Sequence, residues 1–482
     1  MIYKSLLFAD NATPRVIEPD VISDLKLDLI LPAEVTDVLR YKPDKESLLL
    51  RRELFERLLS EPSSEEKLAD TLLSLSFARE LYSALNRAPS VASASFIFVY
   101  LFSALSEFCK KATALSDVGA LYSRFSEILS ALSGSESFKA AKVEANELIS
   151  ELDGIKEIVI STDGESSKIC VTADSCMSER LKECARELGI TLNEKKEKPL
   201  ELQKAISEAV AKLYPSVFEK AERFYDNYRM LVRGDIFDYT PELEFILGIL
   251  KFTKEASRRG IPYSFPSLSE QKEIDIKKVY DVTLLKKEGT VIIPNDVTFN
   301  EKEPFFYLTG ANGGGKTTFI RALGGAMLFF LAGAPVFCEG GKAALLSSVF
   351  THFPRDERFE GSGRFVDEEN RVNVILENDD GNSLILLNET YSTTGEEKAV
   401  KCTEELARRL HKSGSFGVYI THQHSVDENE IPFLSVVVDE NDSNRRTYKI
   451  EKRRTESFSF ARDILKRHGL TGEALRKRFG LD

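Results

Sequence analysis

No stretch of the 482-residue chain reaches the roughly 20 uninterrupted apolar residues that a bilayer-spanning helix requires. The apolar run at 327–336 is broken by Gly333 and Pro335. At the N-terminus, Lys4 and Asp10 flank a very short apolar patch, unlike the apolar region of a secretory signal. A cytoplasmic protein with no membrane attachment is therefore expected. Six cysteines (Cys109, Cys170, Cys176, Cys184, Cys338 and Cys402) form no C-x-x-C pair and lie far from histidines. That spacing argues against zinc and a disulfide framework, and for reduced buried thiols. Acidic residues outnumber basic ones, 77 to 65. A formal net charge of −12 disfavours a general polyanion binder and leaves room only for a local basic groove. There is no internal repeat and no low-complexity tract.

What is present is a 42% hydrophobic composition over a length that suggests about two to four domains. Leu48, Leu49, Leu54, Leu58 and Leu59, then Leu68, Leu72, Leu75 and Leu81, recur at three- and four-residue intervals, predicting helices over 43–85. Pro62-Ser63-Ser64 separates the two, with a serine as cap. Helices follow over 92–112 and 117–152, the latter interrupted at Ser133-Gly134-Ser135. Residues 155–161 and 168–173 read as a hairpin turning at Asp163-Gly164. Helical periodicity returns over 200–232 and 242–259, ending at Gly260 and Pro262. Beyond Pro266, β-rich runs at 290–293 and 304–309 alternate with helices, as in an α/β layer domain.

The chemistry lies in this second half. Gly310-Ala311-Asn312-Gly313-Gly314-Gly315-Lys316-Thr317 fits G-x-x-x-x-G-K-[ST], between the apolar run Phe305–Leu308 and a helical segment opening with Thr318. Glycines let backbone N–H groups converge on phosphates at a helix N-terminus. Lys316 would neutralise β/γ-phosphate charge, and the Thr317 hydroxyl would reach Mg²⁺. The apolar run Leu384–Leu387 ends in Asn388-Glu389, a strand-end acid suited to activating water. An acidic residue usually precedes that glutamate, and here the neutral Asn388 stands in its place. A third run, Gly417-Val418-Tyr419-Ile420, leads to Thr421-His422, where His422 could sense a γ-phosphate or hold the attacking water. An ordinary surface histidine explains His424.

Taken together these segments resemble the MutS family of mismatch-repair ATPases. The stretch Leu308–Thr318 is close to that family's T-G-P-N-M-G-G-K-[ST]-T, with Asn312 at its asparagine. Ile292-Ile293-Pro294-Asn295-Asp296 resembles the segment near the base, Leu384–Thr394 the extended strand-end acid region, and Thr421-His422 the family's A-T-H. The resemblance implies an α-helical core or lever domain followed by an α/β P-loop NTPase domain of the ABC/MutS type. It implies ATP and Mg²⁺ as ligands, a homodimer, and DNA as partner. The expected division is an N-terminal segment 1–40, a helical domain 41–265 with a small hairpin near 155–173, an ATPase domain 270–455, and a helical dimerisation segment 456–482. The resemblance also makes Gly310–Thr318, Ile292 and Asn295 the nucleotide contacts, Thr317 and Asn388 the metal side, and Glu389 and His422 the catalytic pair. Ser362, in the surviving Gly361-Ser362-Gly363, would reach the partner subunit's γ-phosphate, although the Ser-Thr-Phe that follows in the family reads Phe365-Val366-Asp367 here.

The expected chain begins its helical core within about fifty residues and so has no wedge domain ahead of it. Discrimination of a single mismatch below about threefold is expected, less than ~1 kcal/mol. Two functions remain open at this point: lever arms driven by ATP that clasp DNA, or a nucleotide-driven scaffold acting on a protein or RNA. A transporter would want an LSGGQ-like loop, which does not occur. Basic residues from Arg445 to Arg478 serve either a nucleic-acid contact or a solvated helical face.

Overall fold

Helical segments open the chain: α1 (Asp20–Asp24), α2 (Ala33–Leu39), α3 (Lys45–Ser60), α4 (Ser64–Asn86), α5 (Val91–Thr113), α6 (Ala120–Gly134) and α7 (Glu136–Asp153). A two-stranded pair, β1 (Arg15–Val16) with β2 (Tyr41–Lys42), lies among the first of them. The computed structural model describes residues 5–9, 15–16, 20–42, 44–115, 118–153, 158–162, 167–171, 210–287, 289–354, 364–391, 396–421, 431–438 and 446–453, with Arg476, Arg478 and Phe479. The chain divides into two units, Met1–Leu6 with Arg57–Glu244, and Leu7–Glu56 with Phe245–Asp482.

In the first unit α5 is the hub. It packs against α4, α6, α7 and α8 (Pro215–Tyr228). Its start is fixed by Ser90, whose hydroxyl accepts from Ser93 N at 3.1 Å, a cap contributing about 1 kcal/mol. Lys110 and Lys111 close the last turn, where cations suit the helix dipole. Phe98, Phe102 and Phe224 are each at most 1% exposed, with ring centroids 5.6 and 5.7 Å apart. Burial of each ring stabilises by roughly 1.5–3 kcal/mol. Among the described residues α5 alone is long and apolar enough to cross a bilayer, yet 61% of that stretch is buried inside the protein. The partners just named explain its apolarity. The expected break at Ser133–Ser135 separates α6 from α7, and β3 (Ile158–Thr162) pairs antiparallel with β4 (Ser167–Val171) where a hairpin was expected. One expectation fails in detail: Pro215 opens a helix of its own, because proline suits a first turn and breaks an interior.

The second unit is built around a six-stranded sheet of order β10-β11-β12-β8-β13-β14. Its strands are β8 (Phe305–Thr309), β10 (Ser348–His352), β11 (Ser383–Asn388), β12 (Phe416–Ile420), β13 (Phe433–Val438) and β14 (Arg446–Lys452). All neighbours are parallel except β13 and β14. The continuous apolar runs predicted as strands are those of a parallel sheet buried on both faces. A smaller sheet of order β5-β9-β6-β7 contains β5 (Ser267–Ser269), β6 (Glu273–Val279), β7 (Asn295–Asn300) and β9 (Gly340–Ala344). Helices α9 (Tyr239–Arg258), α10 (Lys316–Leu331), α11 (Arg364–Asn378) and α12 (Glu396–Ser413) complete the described elements.

Residues 7–56, expected to form a leading segment and the start of the helical domain, group instead with the α/β unit. Three contacts explain this. Leu25 is fully buried against Gly324 in the middle of α10, where a Cβ would sit 2.7 Å from its Cδ2. Asp24 accepts hydrogen bonds from Thr351 Oγ1 and Arg371 Nη2, both at 2.8 Å. Burial raises the Asp24 pKa, against the pull of the Arg371 guanidinium. Arg51, fully buried, donates to Leu331 O at the end of α10 and lies over the Phe8 ring.

Candidate nucleotide site

The loop between β8 and α10 carries the glycines that sequence alone singled out. Gly310, Gly313 and Gly315 have φ of 124°, 70° and 97°, a region that side chains other than glycine enter at a cost. At Gly310 a Cβ would also lie 2.9 Å from Val436 Cβ, so both conformation and space demand glycine. Gly314 N donates to Ala311 O at 3.0 Å, which tightens the loop into a cup. Lys316 opens α10 and is buried. Its Nζ donates to Gly310 O at 2.8 Å, and to Ala311 O and Asn312 Oδ1 at 3.3 Å each. The ammonium therefore sits in the cup itself. Burial depresses its pKa to about 8, an effect opposed by the Glu389 carboxylate and reinforced by Arg446. Thr317 and Thr318 follow in the first turn, half-buried, while Asn312 and Gly313 face solvent.

Two strands away, every residue of β11 is buried. Asn388 ends it at 8% exposed, and its Oδ1 has no hydrogen-bond partner. A buried, unsatisfied acceptor costs about 1–3 kcal/mol, so it calls for a donor from a ligand or its water. Glu389 follows with φ of 54°, and Tyr391 has φ of 67°. Each left-handed residue of this kind costs roughly 1–2 kcal/mol. The amide of Glu389 donates to Ile420 O at 3.0 Å, and that of Thr421 to Leu308 O at 3.2 Å. These bonds bring the ends of β8, β11 and β12 to one edge. Glu389 lies near enough to Lys316 for its carboxylate to raise the ammonium's pKa, against the effect of burial.

Among the described residues no group of three histidines, cysteines or acids could hold a metal unaided. Mg²⁺ at a nucleotide site keeps several waters and leans on substrate phosphates. The residues present fit such an ion: the Thr317 hydroxyl as ligand, and the orphaned Asn388 Oδ1 as acceptor from a metal-bound water.

The base-side residues fall out differently. Ile292 is half-buried and Asn295 buried. Asn295 Nδ2 donates to Tyr448 O at 3.0 Å, and its Oδ1 accepts from Ile450 N at 2.8 Å. Its amide thus stitches β7 to β14. The sequence reading missed Tyr448, at φ 57° and 46% exposed, whose ring lies 3.4 Å from where a Gly315 Cβ would be. Nothing local to Tyr448 marks it; only the pairing of Asn295 with β14 brings it to the loop. Ser362 and His422 lie outside the described residues.

Residues 306–466 match the family model for MutS domain V. The chain is 31% identical over 209 residues to DNA mismatch repair protein MSH2 of Saccharomyces cerevisiae, covering 39% of this chain and 21% of that protein. It is 24% identical over 263 residues to DNA mismatch repair protein MutS of Carboxydothermus hydrogenoformans, covering 52% and 31%. With MutS of Streptococcus mutans the figures are 26% over 227 residues, 45% and 27%. The matched regions thus span between a fifth and a third of these relatives' own lengths.

Proposed function

We propose, from a chain that belongs to the MutS family through residues 306–466, that this protein binds and hydrolyses ATP and couples nucleotide state to DNA through a dimer. The observation that carries the reading is the Lys316 ammonium, buried in a glycine cup and near enough to Glu389, just past the end of β11, for that carboxylate to raise its pKa. Incoming phosphate oxygens replace the three loop acceptors that Lys316 now uses. Loop amides and the first turn of α10 add partial positive charge. Thr317 and Asn388 would hold the Mg²⁺ side, where the ion would supply neutralisation of phosphate charge. Glu389 orients a water for in-line attack on the γ-phosphorus and takes its proton as the β–γ bridging bond breaks, giving ADP and phosphate.

His422 is assigned to holding that water, and Ser362 of the partner subunit to the γ-phosphate, in a homodimer with a site at each interface. The Tyr448 ring, beside Gly315, offers the aromatic face on which adenine stacks. The helical unit serves as the lever that carries nucleotide state to DNA. Steady-state ATP turnover with and without matched, mismatched, branched and single-stranded DNA tests this. Turnover that responds to at least one DNA supports it. Absence of ATP binding in the full chain would end it, and turnover indifferent to every DNA would favour a protein or RNA as partner.

A further inference from the structure

The polypeptide turns sharply just after β11, and what holds that turn is not local. Thr390 is 2% exposed and sits between two left-handed residues, Glu389 and Tyr391. Its hydroxyl is 3.0 Å from His352 Nδ1, at the end of β10. Its carbonyl accepts from Tyr419 Oη at 2.8 Å, on β12. Tyr419 Oη is in turn 3.1 Å from Thr403 Oγ1, on α12. His352, Tyr419 and Thr403 are at most 1% exposed. Burial pushes the Tyr419 phenol far above its usual range, so it remains a neutral donor. Four residues from two strands, a helix and the turn thus form one buried polar chain directly behind Glu389.

We infer that the His352–Thr390–Tyr419–Thr403 chain is a positioning device, holding the Glu389 carboxylate toward the phosphate loop against the backbone's preference for an extended strand end. This rests on the reading of Glu389 as the hydrolytic base. Left-handed backbone at non-glycine residues persists only where surroundings over-determine it. Here both the side chain and the carbonyl of Thr390 are pinned, and the preceding amide is bonded to Ile420 O. Buried side-chain networks of this kind restrict a segment to few arrangements. All four residues are buried, and they act through Glu389.

The test compares Thr390→Val, which keeps shape and loses the hydroxyl, with Thr390→Ser, which keeps the hydroxyl, and with Tyr419→Phe. All are made in the full chain. Thr390→Val and Tyr419→Phe should lower kcat by about 10–100-fold, the scale of a small misplacement at a reacting centre, with the KM for ATP changed less than about threefold. Thr390→Ser should restore most of the rate. Independently of catalysis, amide exchange at Glu389 in nucleotide-free protein should speed by about tenfold or more in Thr390→Val, with β8 amides unchanged. Unchanged kcat and unchanged exchange would overturn the inference. So would a uniform rise in exchange over the whole sheet, which would mark a purely structural role. If wild type shows no hydrolysis, the reading of Glu389 fails, while the exchange comparison still decides whether the chain positions this turn. Should Tyr419→Phe fail to fold, the valine and serine pair carries the result.

Discussion

The phosphate loop and the turn after β11 lie at the same edge of the sheet, but they are held in different ways. The loop is local: a run of glycines takes left-handed backbone freely, and Lys316 finds its acceptors four to six residues back. The turn is assembled from afar. Glu389 takes left-handed backbone at a cost, and positions 352, 403 and 419 hold its neighbour in place. The difference teaches that binding and catalysis should be separable here. Damage to the loop removes the ligand, whereas damage behind the turn leaves the ligand bound and misplaces the group that acts on it.

Lys316→Ala should break the loop most completely. Nucleotide affinity should fall by about 100-fold or more, since the one side-chain cation in the cup is lost. Titration with a fluorescent ATP analogue checks this, and affinity near wild type would remove the site as drawn. Glu389→Gln should sharpen the contrast. Turnover should drop by about 100-fold or more with ATP affinity within about threefold, seen in single-turnover kinetics beside equilibrium binding.

Acidity offers a milder probe of the loop alone. Phosphate binding favours the charged ammonium, so the pKa of Lys316, near 8 in the free protein, rises in the complex. Affinity should therefore be full below pH 8 and decline by roughly tenfold per unit as pH climbs beyond it. A flat profile between pH 7 and 9.5 would show that the ammonium is not desolvated. The smallest effect belongs to Asn388→Asp. A full negative charge at the orphaned acceptor should lower the Mg²⁺ concentration for half-maximal turnover by about three- to tenfold. An unchanged Mg²⁺ requirement would place Asn388 away from the ion.

Local patterns account for what was legible from residue order. Helices α4 to α7 and α9, the strands β8, β11 and β12, and the glycine loop each announce themselves within a dozen residues, whereas β10 and β13 do not. Interactions across long separations do not. The strand expected at 290–293 forms instead at Asn295–Asn300, where Val297 and Phe299 alternate inward against Ile276 and Ile274 of β6, whereas Val291 is 80% exposed. Partner strands, rather than apolarity, chose the register. Of the two serines expected as caps, Ser63 and Ser64, Ser63 holds the N-cap position but gives its hydroxyl to Glu61 and makes no side-chain cap bond. Within the proposed site, Lys316 could be singled out from the glycine motif, and Asn388 and Glu389 from the apolar run that they follow. Tyr448 and Thr390 were not, because their meaning comes from Asn295 and His352, more than thirty residues distant.

The packing of Leu25 into Gly324 has a consequence for the order in which the molecule can be made. The α/β unit uses residues 7–56 and then nothing until residue 245, so its first part leaves the ribosome long before the sheet it covers. The intervening stretch, whose helix contacts are mostly between near neighbours in sequence, can condense meanwhile. Leu25, Asp24 and Arg51 must wait for α10 and β10, and the nascent chain carries an unfinished apolar surface during that interval. Synthesis order thus makes the docking of this early segment wait until α10 and β10 have been made.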